Sequence, residues 1–275
     1  MKKFSLNKIN EIMSLPLGDL LFKSQQVHRK NFPKNDVQLA SLISIKTGSC
    51  PEDCKYCPQS AHYNVDLKKE KLIDLMSLEN AAIKAKKNGA QRFCMGAAWK
   101  KLKDGDDLET VVKMVKTVKS LGLEACVTLG TISESQAKKL KEAGLDAYNH
   151  NIDSSPNFYK KIITTRTFDE RLETIERVRK AGINVCSGGI LGMGETWNDR
   201  AEMLKVLCDM KPHPESVPIN ALVPVTGTPL ESKKLIDSID IIRVIATARI
   251  IMPKSRIRLS AGRKNFSKET QILCL

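Results

Sequence analysis

Apolar residues recur along the chain in two alternating rhythms: short runs rich in β-formers, and longer stretches with a period near that of an α-helix. The β-rich runs are LASLISIKT, RFCMGAA, EACVTLG, AYNHNID, NVCSGGILG, SVPINALV and IRLSAG, each read as a strand. Helical periodicity fills the intervals at about 77–87, 108–121, 133–143, 168–181, 198–210 and 238–252, and an amphipathic helix over 5–31 precedes the first strand. Four of the helices stop at a glycine, Gly89, Gly122, Gly144 or Gly182, a residue that tolerates the left-handed turn ending a helix.

Strict alternation of strand and helix implies parallel strands joined by right-handed crossovers, hence a (β/α) barrel or an open doubly wound sheet. No GxGxxG follows the first strand, and polar residues fall within or just beyond many strands, as barrel sites require. The expected fold is α/β, a (β/α) TIM-type barrel over 37–275 behind an N-terminal helical extension over 1–36. Seven strands are readable, and QILCL looks like the helix leading to an eighth. The sequence reading therefore expects a C-terminally truncated barrel, with closure and substrate sealing impaired.

Composition changes little in this picture. The 275 residues, 41% hydrophobic, suffice for one large globular domain. The basic start MKKFSLNKINEIM is interrupted by polar residues too early for a signal peptide, and no later run is long enough to span a bilayer. A soluble, cytoplasmic protein is expected, whose eight cysteines stay reduced and act as ligands, catalytic groups or core residues. The net charge of +14 is spread through lysine-rich helical stretches mixed with glutamate, and aromatics are only 5%, so no nucleic-acid role is expected.

The chemistry lies in two groups of cysteines. Cys50, Cys54 and Cys57 fall just after the first strand in SCPEDCKYCPQS, where Pro51 and Pro58 oppose helix formation and let the loop curl round one metal centre. With His62 as a fourth ligand, C-x3-C-x2-C-x4-H is a conceivable zinc site. Three thiolates around a cubane would instead leave one iron open to a substrate. The second group lies inside strands: Cys94, Cys126 and Cys186, with Arg258 in a fourth strand, where a barrel interior ordinarily carries Val, Ile or Leu. If all four face inward they converge on one point, and three thiolates with one more ligand can hold a [2Fe–2S] cluster.

C-x3-C-x2-C in the first loop of a β/α barrel resembles the radical S-adenosylmethionine superfamily. That resemblance implies a [4Fe–4S] cluster on Cys50, Cys54 and Cys57, whose open iron chelates the methionine portion of S-adenosylmethionine. Reduction then breaks a C–S bond to give a 5′-deoxyadenosyl radical. Within the superfamily the chain resembles the biotin synthase family through RFCMGAAWK, LGLEACVTLGT, YNHNIDSSP, IITTRTF, VCSGGILGMGE, PESVPIN and RLSAGR. That likeness implies that Cys94, Cys126, Cys186 and Arg258 hold a [2Fe–2S] cluster, which gives up a sulfide to dethiobiotin to close the thiophane ring, with two S-adenosylmethionine molecules consumed.

Further roles follow from the resemblance, beside what the residues themselves suggest. Tyr56 is placed to contact the adenine; simple loop packing is the alternative. Gly192 and Gly194, in SGGILGMGE with Gly188 and Gly189, match the cofactor-binding glycine region, beside which Glu195 would cap the next helix. Asn151 and Asp153 would share one strand face and bind ribose hydroxyls, with Asn151 also near dethiobiotin. Arg171, in FDERLE, would pair with the cofactor carboxylate, for which a guanidinium is suited, an exposed helix charge being the alternative, and Asn220 would hydrogen-bond the ureido ring. Cys208 and Cys274, Trp99 and Trp197 read as structural, His28, His62, His150 and His213 show no ligand spacing among themselves, and His150 reads as buried, not catalytic. The resemblance also implies a homodimer and an electron donor such as flavodoxin or ferredoxin. A radical enzyme without sulfur insertion and a zinc-stapled basic binding protein are the alternatives.

Overall fold

The structure is a computed structural model describing residues 3–33 and 37–275. Its elements in chain order are α1 (Leu6–Met13), α2 (Leu17–Asn31), β1 (Ala40–Lys46), α3 (Leu75–Lys87), β2 (Arg92–Ala97), α4 (Asp106–Ser120), β3 (Glu124–Thr128), α5 (Glu134–Glu142), β4 (Ala147–Asn149) and α6 (Pro156–Ile162). There follow α7 (Phe168–Lys180), β5 (Asn184–Cys186), β6 (Gly189–Leu191), α8 (Trp197–Asp209), β7 (Ser216–Ala221), α9 (Ser238–Ile251), β8 (Arg256–Leu259), a short 3-10 turn and α10 (Lys268–Leu273). The boundary expected at residue 36 lies outside the described residues.

The chain divides into two compact units. One, here the cysteine-loop unit, comprises Val37–His150 and Ile163–Val185. In it β1, β2, β3 and β4 pair in that order, all parallel. Helices α3, α4, α5 and α7 pack as successive neighbours, and the strands between them bury Phe93, Met95, Ala125 and Val127. Sequence sets the helix ends closely: Ser133 with Gln136 and Thr167 with Glu170 form reciprocal capping boxes at the starts of α5 and α7. Gly89, Gly122, Gly144 and Gly182 all have positive φ.

The other, here the terminal unit, comprises the N-terminal residues, Asn151–Ile162 and Cys186–Leu275. Here β6, β7 and β8 run parallel with β7 in the middle, and Cys186 pairs with Ser216 of β7. Helix α9 is apolar nearly all round and is buried along most of its length, with α2 packed on it.

Three sequence expectations change. The helix expected over 5–31 is two helices, because Pro16 has no N–H to continue α1 and disfavours helical geometry at Leu15. Arg243 then caps the broken end, its Nη1 donating to the carbonyls of Met13 at 3.1 Å and Leu15 at 2.6 Å. NVCSGGILG is two three-residue strands separated by Ser187 and Gly188. AYNHNID is a strand only through Asn149, and α6, which follows it, has no counterpart in the sequence reading.

Candidate functional site

The cysteine loop opens where β1 ends. Its first turn closes on itself: the Cys50 amide donates to Gln59 O at 2.9 Å, Ala61 N to Cys50 O at 2.7 Å, and Cys57 N to Cys54 O at 2.9 Å. Cys54 is buried, while Cys50, Cys57 and Tyr56 are half-buried, and all eight cysteines of the chain are thiols. Burial pushes the Cys50 thiol up, against the Glu52 amide hydrogen bond and the charges of Lys46 and Arg166, which favour its thiolate. Lys46 is anchored by donating to Gly48 O at 2.5 Å and Ala98 O at 3.1 Å.

The acids between Cys50 and Cys54 are held from another part of the same unit. Glu52 Oε1 lies 3.1 Å from Arg166 Nη2, and Glu52 Oε2 accepts from the Thr165 hydroxyl at 2.6 Å. Asp53 accepts from the amides of Thr164 and Thr165 at 2.9 and 3.1 Å and from the Thr164 hydroxyl. Burial raises the Asp53 carboxyl, but these donors outweigh it and hold it at about 2. Since this is below the usual carboxylate value, the stabilisation is complete above about pH 4 and is lost as pH falls through 2. Tyr63, whose hydroxyl donates to Asp53 O, is pushed up to about 12 by burial and then by the neighbouring Asp53, Cys54 and Cys57 charges.

His62, the fourth ligand of the zinc alternative, has its Nε2 3.1 Å from the Pro51 carbonyl. Among the described residues, no three His, Cys, Asp or Glu side chains gather round a single ion position. Thiolates around a cubane each bond a different iron, and an all-sulfur donor set on a proline-flanked loop suits one.

The second set of residues falls into two halves. In the cysteine-loop unit, Cys94 and Cys126 are register partners on adjacent parallel strands, with Leu42 in register on the other side of Cys94, so the two thiols stand on one face at one level. Cys126 is buried and Cys94 half-buried. In the terminal unit, Arg258 Nη2 lies 3.4 Å from Cys186 Sγ. Cys186 pairs with Ser216, which pairs with Arg256, so Arg258 is two residues further along the same face of β8. Its Nε is buried without a partner atom, and so is the Ser216 hydroxyl. A thiol beside a guanidinium whose Nε is buried and unpartnered offers both a soft donor and a spare N–H to a bound group, so these residues fit a cluster.

Around SGGILGMGE the glycines have physical reasons. A Cβ on Gly188 would lie 1.9 Å from Pro218 O, which no side chain survives. Gly192 and Gly194 have φ of 94° and 108°, and the turn they make is organised by Glu195. The Glu195 carboxylate accepts from the amides of Gly192, Met193 and Gly194 at 2.9–3.1 Å and pairs with Arg200 Nε at 2.9 Å. Glu195 therefore braces the glycine turn and does not cap α8, which is capped by Thr196 with Asp199.

Asn151 and Asp153 do not alternate along a strand, because β4 ends at Asn149 and Asp153 takes φ 66°, a left-handed conformation that aspartate tolerates. Asn151 Oδ1 accepts from Gly188 N at 3.1 Å, and Asp153 forms a parallel bridge with Gly189, so both flank the start of β6. Asn220 is a brace as well: its Nδ2 donates to Gly189 O and its Oδ1 accepts from Ala261 N, both at 3.0 Å. Each atom keeps one further hydrogen-bonding position for a ligand. Arg171 is buried on α7, not an exposed helix charge, and lies close enough to His150 to oppose its protonation.

The chain is similar to known proteins. Residues 44–207 match the Radical SAM superfamily, and residues 218–275 match the Biotin and Thiamin Synthesis associated domain. In fold the chain is like the crystal structure of methylornithine synthase, with a TM-score of 0.83 over 99% of this chain and 80% of that one at 19% identity. It is also like the hydrogenase maturase HydG from Carboxydothermus hydrogenoformans, with a TM-score of 0.82 over 99% of this chain and 65% of that one at 16% identity. The fold is the (β/α) TIM type of the radical enzymes, as the alternation of strands and helices implies. Curated biotin synthases from Myxococcus xanthus (strain DK1622) and Prochlorococcus marinus (strain NATL2A) are 56% and 58% identical over 272 residues, 99% of this chain and 79% of theirs. Identity at that level over nearly the whole chain goes beyond shared architecture: the chain belongs to the biotin synthase family of radical S-adenosylmethionine enzymes.

Proposed function

We propose that this chain inserts sulfur into dethiobiotin to form biotin, the last step of biotin biosynthesis. The observation that carries the reading is the near-complete coverage of the chain by curated biotin synthases, together with the survival of both ligand sets, Cys50, Cys54 and Cys57, and Cys94, Cys126, Cys186 and Arg258. When bound, a [4Fe–4S] cluster on the first set supplies the electron that cleaves S-adenosylmethionine, and a [2Fe–2S] cluster on the second supplies the sulfur.

The chain's own residues bind and orient. Tyr56 offers its side chain to the adenine, and in the terminal unit Gly192 and Gly194 offer backbone to S-adenosylmethionine, on a turn held rigid by Glu195. Asn151 and Asp153 offer an amide and a carboxylate to the ribose hydroxyls, and Arg171 a guanidinium to the carboxylate of the methionine portion. Asn151 and Asn220 offer amides to the ureido ring of dethiobiotin. A cytoplasmic homodimer reduced by flavodoxin or ferredoxin completes the proposal; no described helix is long and apolar enough to cross a membrane.

Anaerobic reconstitution with iron and sulfide, followed by incubation with dethiobiotin, S-adenosylmethionine and a reductant, is expected to yield biotin and 5′-deoxyadenosine. Deoxyadenosine without biotin would favour a relative that lacks sulfur insertion, and a chain that takes up zinc but no iron would refute radical chemistry altogether. Cys94→Ala is expected to abolish biotin formation while leaving the reduced [4Fe–4S] signal in place.

A further inference from the structure

Between Cys50 and Cys54 stand Pro51 and two acids, and both acids are tied to a segment more than a hundred positions later in the same compact unit. Glu52 is 5% exposed and meets Arg166, also 5% exposed. Lys100 joins them, its Nζ 3.7 Å from Glu52 Oε1 and donating to Thr165 O at 2.6 Å, while Arg166 Nη2 also donates to Lys100 O. Desolvating an ion pair like Glu52–Arg166 costs about as much as the attraction returns, so net stability alone is a poor account of it.

Thr165 is the junction. Its Oγ accepts from Asp53 N at 3.1 Å and lies 2.6 Å from Glu52 Oε2 and 2.9 Å from Asp53 Oδ1. One hydroxyl hydrogen serves two carboxylates there, while the lone pair fixes the backbone of the residue next to Cys54. On the other side of the loop the Ser60 hydroxyl donates to Glu52 O at 2.6 Å. The backbone on which Cys50 and Cys54 sit is therefore held from both sides without use of either thiol.

We propose that Thr164, Thr165 and Arg166, acting through Asp53 and Glu52, are positioning residues that hold the cysteine loop in its ligand geometry, with Thr165 as the central contact. The inference rests on Cys50, Cys54 and Cys57 being the ligands of the first cluster. A loop held in advance loses little conformational freedom when iron binds and keeps its thiolates from drifting off an iron once bonded. Loss of the Thr165 hydroxyl leaves a buried carboxylate oxygen and a backbone amide short of a partner, a local cost that falls on the loop.

The test compares Thr165→Val, which preserves shape, with Thr165→Ser, which restores the hydroxyl, in chains reconstituted anaerobically with both clusters. The readouts are iron release to a ferrous chelator, the paramagnetic resonance spectrum and midpoint potential of the reduced [4Fe–4S] cluster, and the melting temperature. For Thr165→Val, release from the first cluster is expected to quicken about tenfold, the scale of one charge-assisted hydrogen bond, with an altered resonance spectrum and an unchanged second cluster. Thr165→Ser is expected to stay within about twofold of the parent. Equal release and an unchanged spectrum in Thr165→Val overturn the proposal, and so does equal loss from both clusters with a lowered melting temperature, which marks ordinary stability. If Thr165→Val does not fold, Thr164→Val, at an exposed position, carries the test: faster release supports the clamp and parental release overturns it. A parent chain that takes up no [4Fe–4S] cluster overturns the ligand assignment and the clamp together. A loaded parent with indifferent variants overturns the clamp alone.

Discussion

His150 is buried beside two arginines and makes the clearest pH prediction for a single residue. Burial, then the charges of Arg171 and Arg166, hold its imidazole well below the ordinary value of 6.5. The folded protein keeps it neutral while the unfolded chain protonates it, so its stabilising effect is whole above pH 6.5 and drains away as pH falls below that. The apoprotein is therefore expected to lose stability from this residue as pH falls from 7 to 5. His150→Gln is expected to flatten that part of the dependence, measured as urea midpoints at the two pH values; parallel curves for parent and variant would contradict it. The burial of His150 was legible in the sequence, because it lies in a run that begins as a strand. The burial of Arg171 was not, because a charge in FDERLE reads as a solvated helix face until α7 is seen packed.

At the scale of elements, the turn after β6 depends on one carboxylate. Glu195 accepts three consecutive amides and a guanidinium while its side chain is 2% exposed. Glu195→Gln replaces one accepting oxygen by a donor that faces N–H groups. It is expected to cost about 2 kcal/mol in urea unfolding and to weaken S-adenosylmethionine binding, measured by calorimetry on the reconstituted chain. An unchanged affinity would detach the brace from the cofactor site. The sequence pattern located nearly every strand and helix here but misread three junctions, two of them for a shared reason. NVCSGGILG and AYNHNID each have strand-like composition throughout, yet side-chain to backbone bonds such as Asn151 to Gly188, and the left-handed turn at Asp153, end the ladders early. Pro16 breaks the first helix by the covalent geometry of its ring, a signal present in the sequence and outweighed in its reading by amphipathic periodicity.

For the molecule as a whole, the net charge of +14 gives a prediction about encounter. If the proposed electron donor is an acidic protein, such a charge would draw it in, and reduction of the first cluster is expected to slow by roughly tenfold from about 0.05 to about 0.5 M salt. A rate indifferent to salt, measured by stopped-flow, would remove electrostatic steering from the account. The fold class was legible because alternation of strand and helix is a global pattern that single misread junctions do not disturb. The candidate cysteine ligands stood out in the sequence because cysteine is rare and the C-x3-C-x2-C spacing is distinctive. The clamp on the cysteine loop was not, because threonines and acids a hundred residues apart carry no spacing signal. That long reach also orders events during synthesis. The thiols leave the ribosome well before Thr164, Thr165 and Arg166, so a nascent chain carries the ligands for a time without the residues that hold them in place. Iron delivered then meets a slack loop, which places productive cluster loading after translation has passed residue 166.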